Sequence, residues 1–210
     1  MSLIQIAEGL FLLKVPFEDL YTSVFFVEGR DGLAVIDCAT TPDDVDCHIL
    51  PALNRMKTVA THLLLTHSHG DHAGGASRLL QVCPNVICRA YEPMEFPKFR
   101  PLEDGELLLE RLQVVPLFGH TLHSVGYLDR WTNTLISGDC LQLSGVGKYT
   151  NGIRYPELYL QSIETIKEMQ PDRIIASHDY VPLGSIAEGK DAVVRYLDAC
   201  AQICREKYSI

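Results

Sequence analysis

No stretch of this chain approaches the roughly 20 uninterrupted apolar residues that a membrane-crossing helix needs, although 47% of its residues are hydrophobic. A membrane partner is not expected. The opening residues MSLIQIAEGLFLLKVPFEDL lack a basic leader followed by an apolar segment and a small-residue cleavage site, because Glu8 interrupts the run. Secretion is not expected, and a cytoplasmic location is. A regular cysteine framework is also missing: seven cysteines, an odd number, lie scattered along the chain, which fits a reducing compartment better than a disulfide scaffold. Positive charge is in short supply. With a net charge of -9 and a pI of about 5.3, no global basic field recruits nucleic acid or an anionic membrane. Low-complexity linkers and short tandem repeats are absent, so the 210 residues are read as a single domain, 1–210.

What is present begins as a meander. Strands are expected at Leu10–Val15, Thr22–Glu28 and Leu33–Asp37, with a hairpin turn at Gly29–Gly32. Thr41 caps an expected helix, Pro42 suits its first position, and Asp43 and Asp44 favour its positive end. Pro51 is expected to kink or end that helix. A short buried strand at His62–Thr66 leads into a histidine cluster, followed by a helix at Ala73–Val82. Another strand covers Asn85–Ala90, and Tyr91–Gly105, with three prolines, reads as irregular. Further strands are expected at Leu112–Leu117, Ser124–Leu128, Thr134–Ser137 and Arg173–Ala176. Helices are expected from Pro156 to about Met169 and from Ser185 to Arg205, the latter burying Val193, Tyr196, Leu197, Cys200 and Ile203. Cys200 and Cys204 fit that buried stripe better than a metal or redox pair. Meander plus helices in each half suggests an α/β (α+β) protein, a four-layer αββα sandwich.

The cluster is THSHGDHAGG, Thr66 to Gly75. His67 and His69, one residue apart on an extended chain, point to the same side and make a chelating pair. Gly70 lets the backbone turn so that Asp71 and His72 can face the same cavity. Neutral imidazole and carboxylate are ligands that zinc and its borderline neighbours prefer. Asp71 alone would be a helix cap and His72 alone a first-turn residue, but a structural origin for the whole group is a poor account. Asp139 and His178 lie where apolar strands end, at LISGD and RIIASH, a usual position for site residues. In isolation each would be read as structural.

THSHGDHAGG reproduces the His-x-His-x-Asp-His motif of the metallo-β-lactamase superfamily. PLFGHTLHSVGYL resembles that family's Gly-His-Thr motif, LISGDCL its strand-end aspartate motif, IIASHDY its last histidine motif and AVIDCAT its first motif. The resemblance implies one metal bound by His67, His69 and His120, a second bound by Asp71, His72 and His178, and Asp139 shared between them. Asp37 would support the site rather than ligate. Two divalent ions are implied, with zinc expected and iron or manganese also accepted by such donors. The bridging hydroxide of a dinuclear site would attack an ester, thioester, lactone or amide, and Asp71 would orient the water and carry its proton.

Two departures from the family pattern stand out. Leu122 and His123 replace the usual proline and glycine, and Ser177 and Asp179 flank His178. His123 is read as a surface residue, Asp179 as an orienting group for His178. Between Asp139 and His178, the segment LSGVGKYTNGIRYPELY carries Lys148, Tyr149, Arg154 and Tyr155. It reads either as a rim for a carboxylate-bearing small-molecule substrate or as a solvated loop. Phe96 and Phe99 are expected to form another wall. The stretch after His178 is mostly one helix, so the thioester-binding domain of glyoxalase II-like relatives is expected to be reduced or missing. Two rival chemistries stay open, a phosphodiesterase on the same metals and a mononuclear iron persulfide dioxygenase. Apolar residues in excess of core needs leave room for a homodimer face.

Overall fold

The computed structural model describes residues 2–150 and 152–210. Met1 and Asn151, the latter inside the expected rim segment, lie outside the described residues. By internal contacts the chain divides into two compact units, 1–112 and 113–210.

The first unit opens with the expected meander: β1 (Ile4–Ala7), β2 (Leu10–Phe17), β3 (Leu20–Gly29) and β4 (Gly32–Ile36). β2 and β3 pair along the full length of β2, from Leu10 opposite Val27 to Phe17 opposite Leu20. Thr41 then caps α1 (Pro42–Asp44) reciprocally: its hydroxyl accepts the Asp44 amide at 3.2 Å while Asp44 Oδ2 accepts the Thr41 amide at 2.9 Å. A wide π-helical turn (Val45–Ile49) follows, then α2 (Leu50–Met56). Pro51 therefore does not end the helix. It sits within the first two positions of α2, where its missing N–H costs little, and the widened turn ahead absorbs the break.

Beyond α2, β5 (His62–Leu64) joins β4 in parallel. Then come α3 (Gly70–Ala73), α4 (Ala76–Val82), β6 (Ile87–Ala90), β7 (Phe99–Pro101) and β8 (Leu107–Leu108). The sheet runs β1-β2-β3-β4-β5-β6-β7. Three expectations are corrected here. The expected helix at Ala73 begins at Gly70, so Asp71 and His72 lie on α3 rather than on a loop. It breaks at Gly74 and Gly75, where an added Cβ would lie 1.9 Å from the Thr40 carbonyl oxygen and 2.2 Å from that of Cys38. The supposedly irregular stretch after Tyr91 contributes β7, pairing with β6 from Cys88 opposite Phe99.

Val24, Phe26, Val35, Leu63 and Leu65 form the core of this unit with Val45, Ile49, Leu53 and Leu79 from the helices. Phe25, Val27, Ile36 and Leu64, at the alternate strand positions, are buried as well, which accounts for near-continuous apolar runs instead of strict alternation. Each such side chain contributes roughly 1.5–3 kcal/mol by leaving water.

The second unit holds β9 (Leu112–Pro116), which begins at the boundary, β10 (Val125–Asp129), β11 (Thr134–Gly138), α5 (Pro156–Met169), β12 (Arg173–Ala176), β13 (Ile186–Glu188) and α6 (Lys190–Tyr208). Its strands follow the order β13-β12-β11-β10-β9. β11 and β12 are parallel, joined through α5. The expected helix from Ser185 is corrected. Ile186, Ala187 and Glu188 alternate exposed, buried, exposed and pair antiparallel with β12, and Gly189 at φ 85° turns the chain into α6. α6 buries Val193, Tyr196, Leu197, Cys200 and Cys204, with Ile203 only half-buried. Among the described residues, no helix is long and apolar enough to cross a membrane.

Candidate metal centre

Parallel pairing makes β4 and β5 end at the same edge, and the residues that follow them meet there. The Asp37 amide donates to the Leu64 carbonyl at 2.9 Å. In return the Asp37 carboxylate accepts the Thr66 amide and the Thr66 hydroxyl, both at 2.8 Å. Its Oδ2 also lies 2.8 Å from His72 Nδ1, with both side chains fully buried. A buried carboxylate is tolerable because these donors replace water, and they in turn assign protons. His72 Nδ1 must donate, leaving Nε2 without a proton. The Thr66 hydroxyl has given its hydrogen to Asp37, so it accepts from His67 Nδ1 at 3.1 Å, and the His67 Nε2 lone pair is bare too.

The bare nitrogens face other electron-rich atoms. His67 Nε2 lies 3.0 Å from His69 Nδ1, and His72 Nε2 lies 3.3 Å from Asp71 Oδ2. The candidate ligand atoms of His67 and His72 are within 4.8 Å of one another. His69 can donate its Nδ1 proton to His67, but His72 Nε2 against Asp71 Oδ2 sets acceptor against acceptor, which repels unless a cation or proton lies between them. This set fits a divalent metal.

The second unit builds a similar set on its own sheet edge. β11 and β12 run parallel, Gly138 at φ 57° turns β11 outward, and Asp139 and His178 follow the two strand ends. Asp139 Oδ1 lies 3.4 Å from His178 Nε2, and its Oδ2 lies 3.8 Å from His120 Nε2. His120 Nδ1 donates to the Gly152 carbonyl at 2.7 Å, which bares Nε2 on the Asp139 side. One imidazole per carboxylate oxygen suits a shared ligand.

His120 is held by neighbours the sequence reading missed. Buried Gln142 places its side-chain amide 2.9 Å from the same Nδ1, and with Nδ1 donating to Gly152 it is the amide oxygen that must face the ring; the Gly119 carbonyl accepts the Arg154 and Tyr155 amides at 2.8 and 2.9 Å. The available signal for Gln142 was a lone polar residue in the apolar run Leu141–Leu143. Thr66 was likewise passed over, hidden inside a motif quoted for its histidines.

Lys148, Tyr149 and Arg154 are exposed, with the Lys148 ammonium 5.3 Å from the centre of the Tyr149 ring. His123 is on the surface as expected. Asp179 Oδ1 accepts the Ser185 hydroxyl at 2.7 Å, so the geometry ties it to the turn before β13. Phe96 and Phe99 are partly buried and pack against the core of the first unit.

Sheets accompanied by helices, with His/Asp groups able to hold a metal ion at strand ends, define an α/β protein with a candidate metal centre. A family model described as the metallo-beta-lactamase superfamily matches residues 18–178, and the chain belongs to that superfamily. Hydroxyacylglutathione hydrolase from Vibrio cholerae serotype O1 is 30% identical over 170 residues, covering 78% of this chain and 63% of the relative. Its counterpart from Pectobacterium atrosepticum is 31% identical over 139 residues, covering 63% and 53%. The chain thus spans about 63% of the length of the V. cholerae relative. Among solved structures, metallo-β-lactamase FIM-1 from Pseudomonas aeruginosa in its mono-zinc form matches with a TM-score of 0.77 at 19% identity, over 100% of this chain and 96% of that one. A metallo-β-lactamase from Erythrobacter litoralis matches with a TM-score of 0.76 at 17% identity, over 95% and 96%. These likenesses establish the metallo-β-lactamase fold that the motifs implied.

Proposed function

We propose that the chain is a hydrolase with a dinuclear zinc site, cleaving a thioester, ester, lactone or amide of a small molecule. In this reading His67, His69 and His120 hold one ion, Asp71, His72 and His178 hold the other, and Asp139 serves both. The observation that carries it is the proton assignment: Asp37, Thr66 and Gly152 each bare an imidazole nitrogen toward another donor atom. A divalent metal held by these residues would supply a water that ionises near neutral pH and a Lewis acid for the substrate oxygen. Asp71 would orient that water and pass its proton toward the leaving group. Lys148, Tyr149 and Arg154 are the proposed contacts for a carboxylate on the substrate.

The names of the relatives favour a glutathione thioester within this class. We also read the whole chain, 1–210, as one domain, because the family match from 18 to 178 runs through the boundary at 112. A cytoplasmic location and a homodimer belong to the same proposal and rest on composition alone.

The first test is elemental analysis of protein purified without added metal, joined to turnover on a panel of thioesters, carboxyl esters and phosphodiesters. About two zinc ions per chain with thioester or ester turnover is expected. One iron with oxygen uptake, or phosphodiester turnover alone, would replace this reading. Asp139→Ala and His178→Ala should lower metal content and turnover together.

A further inference from the structure

β5 ends at Leu64 and α3 begins at Gly70, so His67, Ser68 and His69 lie outside both regular elements. Their geometry depends on side-chain tethers. Thr66 and Asp37 fix His67 from one side. Ser68, exposed between the two imidazoles, donates its hydroxyl to the Glu92 carboxylate. The meeting follows from the sheet: β5 and β6 are parallel with Leu64 opposite Arg89, and the Leu65 amide still reaches the Arg89 carbonyl at 2.9 Å. The two chains therefore leave the same edge side by side. The strand that leads into Glu92 is held on its far side: β6 pairs with β7, and Arg89 donates to the Pro101 carbonyl at 2.8 Å and to both Glu106 oxygens at 2.8 and 2.6 Å.

We propose that Glu92 is a positioning residue that acts through Ser68 to hold His67 and His69 in their ligating geometry. This rests on the metal-site reading above. A hydrogen bond to an ionised carboxylate is stronger and more directional than a neutral one. Fixing Ser68 restricts the peptide units on both sides of it, and so the directions in which the two neighbouring imidazoles leave the backbone. Without that tether the pair must be ordered when the ion binds, and the lost freedom appears as weaker affinity.

The test titrates the full chain, stripped of metal by a chelator, with zinc in competition with a chromophoric chelator. Glu92→Ala and Ser68→Ala should each weaken zinc binding about tenfold or more, the range found for groups that orient metal ligands. Glu92→Gln, whose amide oxygen still accepts the hydroxyl, should stay within about threefold of the parent. The thermal midpoint of the stripped protein should hold within about 2 °C in all three variants, as expected for surface changes. Parental affinity in both alanine variants overturns the proposal. So does a Glu92→Gln loss as large as that of Glu92→Ala, which would indicate charge alone, and so does a loss that follows a lowered midpoint of the stripped protein. If the parent itself takes up no zinc, the metal-site reading falls with it, and the parent titration tells that case apart.

Discussion

Asp37 Oδ2 lies 2.8 Å from His72 Nδ1 with both side chains fully buried, so a buried carboxylate decides which nitrogen of this candidate ligand carries the proton. Asp37→Asn keeps the shape but can turn an N–H toward the ring. That change is expected to weaken zinc binding roughly 10–100-fold while leaving the stripped protein folded by circular dichroism. Unchanged affinity would mean that the His72 tautomer is set by something else.

Gly119 stands at φ 130°, and a Cβ there would lie 2.6 Å from Tyr159 Cα. Gly119→Ala combines an unfavourable backbone region with a clash against α5, for an expected loss of about 3 kcal/mol. The midpoint of thermal unfolding should fall by roughly 6–12 °C for a chain of this size. A drop of a degree or less would show that the Gly-His-Thr turn has slack.

Burial, and then the charges of Arg89 and Arg100, hold the His62 imidazole below its ordinary value of 6.5. The unfolded chain then takes up a proton at a pH where the folded chain does not. The contribution to stability is complete above the ordinary value and is lost as pH falls through it toward the folded value. Urea midpoints at pH 7.5 and 5.5 should differ less in His62→Gln than in the parent. Equal differences in the two proteins would remove His62 as a source of the slope.

Burial pushes the Cys88 and Cys200 thiols up to about 12, whereas Cys47 is exposed. A thiol reagent at neutral pH should modify Cys47 first and reach Cys88 and Cys200 only in denaturant. Mass mapping of the labelled positions reads this directly. Early labelling of Cys88 would indicate that the first sheet opens in the native state.

Metal removal should cost stability as well as activity. With free zinc at a hundredfold excess over Kd, binding contributes about 2.7 kcal/mol, so chelation should lower the midpoint by roughly 5–10 °C. A chain whose midpoint ignores both zinc and chelator would not hold zinc in its folded core.

Much of the strand and helix pattern was legible because apolar periodicity and capping chemistry are local. The Thr41 cap with Pro42 behind it and the span Pro156–Met169 follow from neighbours in sequence. The misreadings share a cause. β13 carries no strand signal of its own because three residues are too few to establish a period, and only its partner β12 makes them a strand. α3 was taken for loop because a helix starting on glycine gives no propensity signal.

The sequence by itself determined which residue types and spacings were available: three imidazoles and a carboxylate in one motif, with later donors at strand ends, and so the family and the metal-ligand candidates. Tertiary structure alone decided which nitrogen His67, His72 and His120 present. Protons are assigned by partners far away in the chain, Asp37 for His72 and Gly152 for His120. Parallel β4 and β5 bring Asp37 to His72, and the Gly119 carbonyl, accepting the Arg154 and Tyr155 amides, brings Gly152 to His120, through backbone hydrogen bonds that no local pattern encodes.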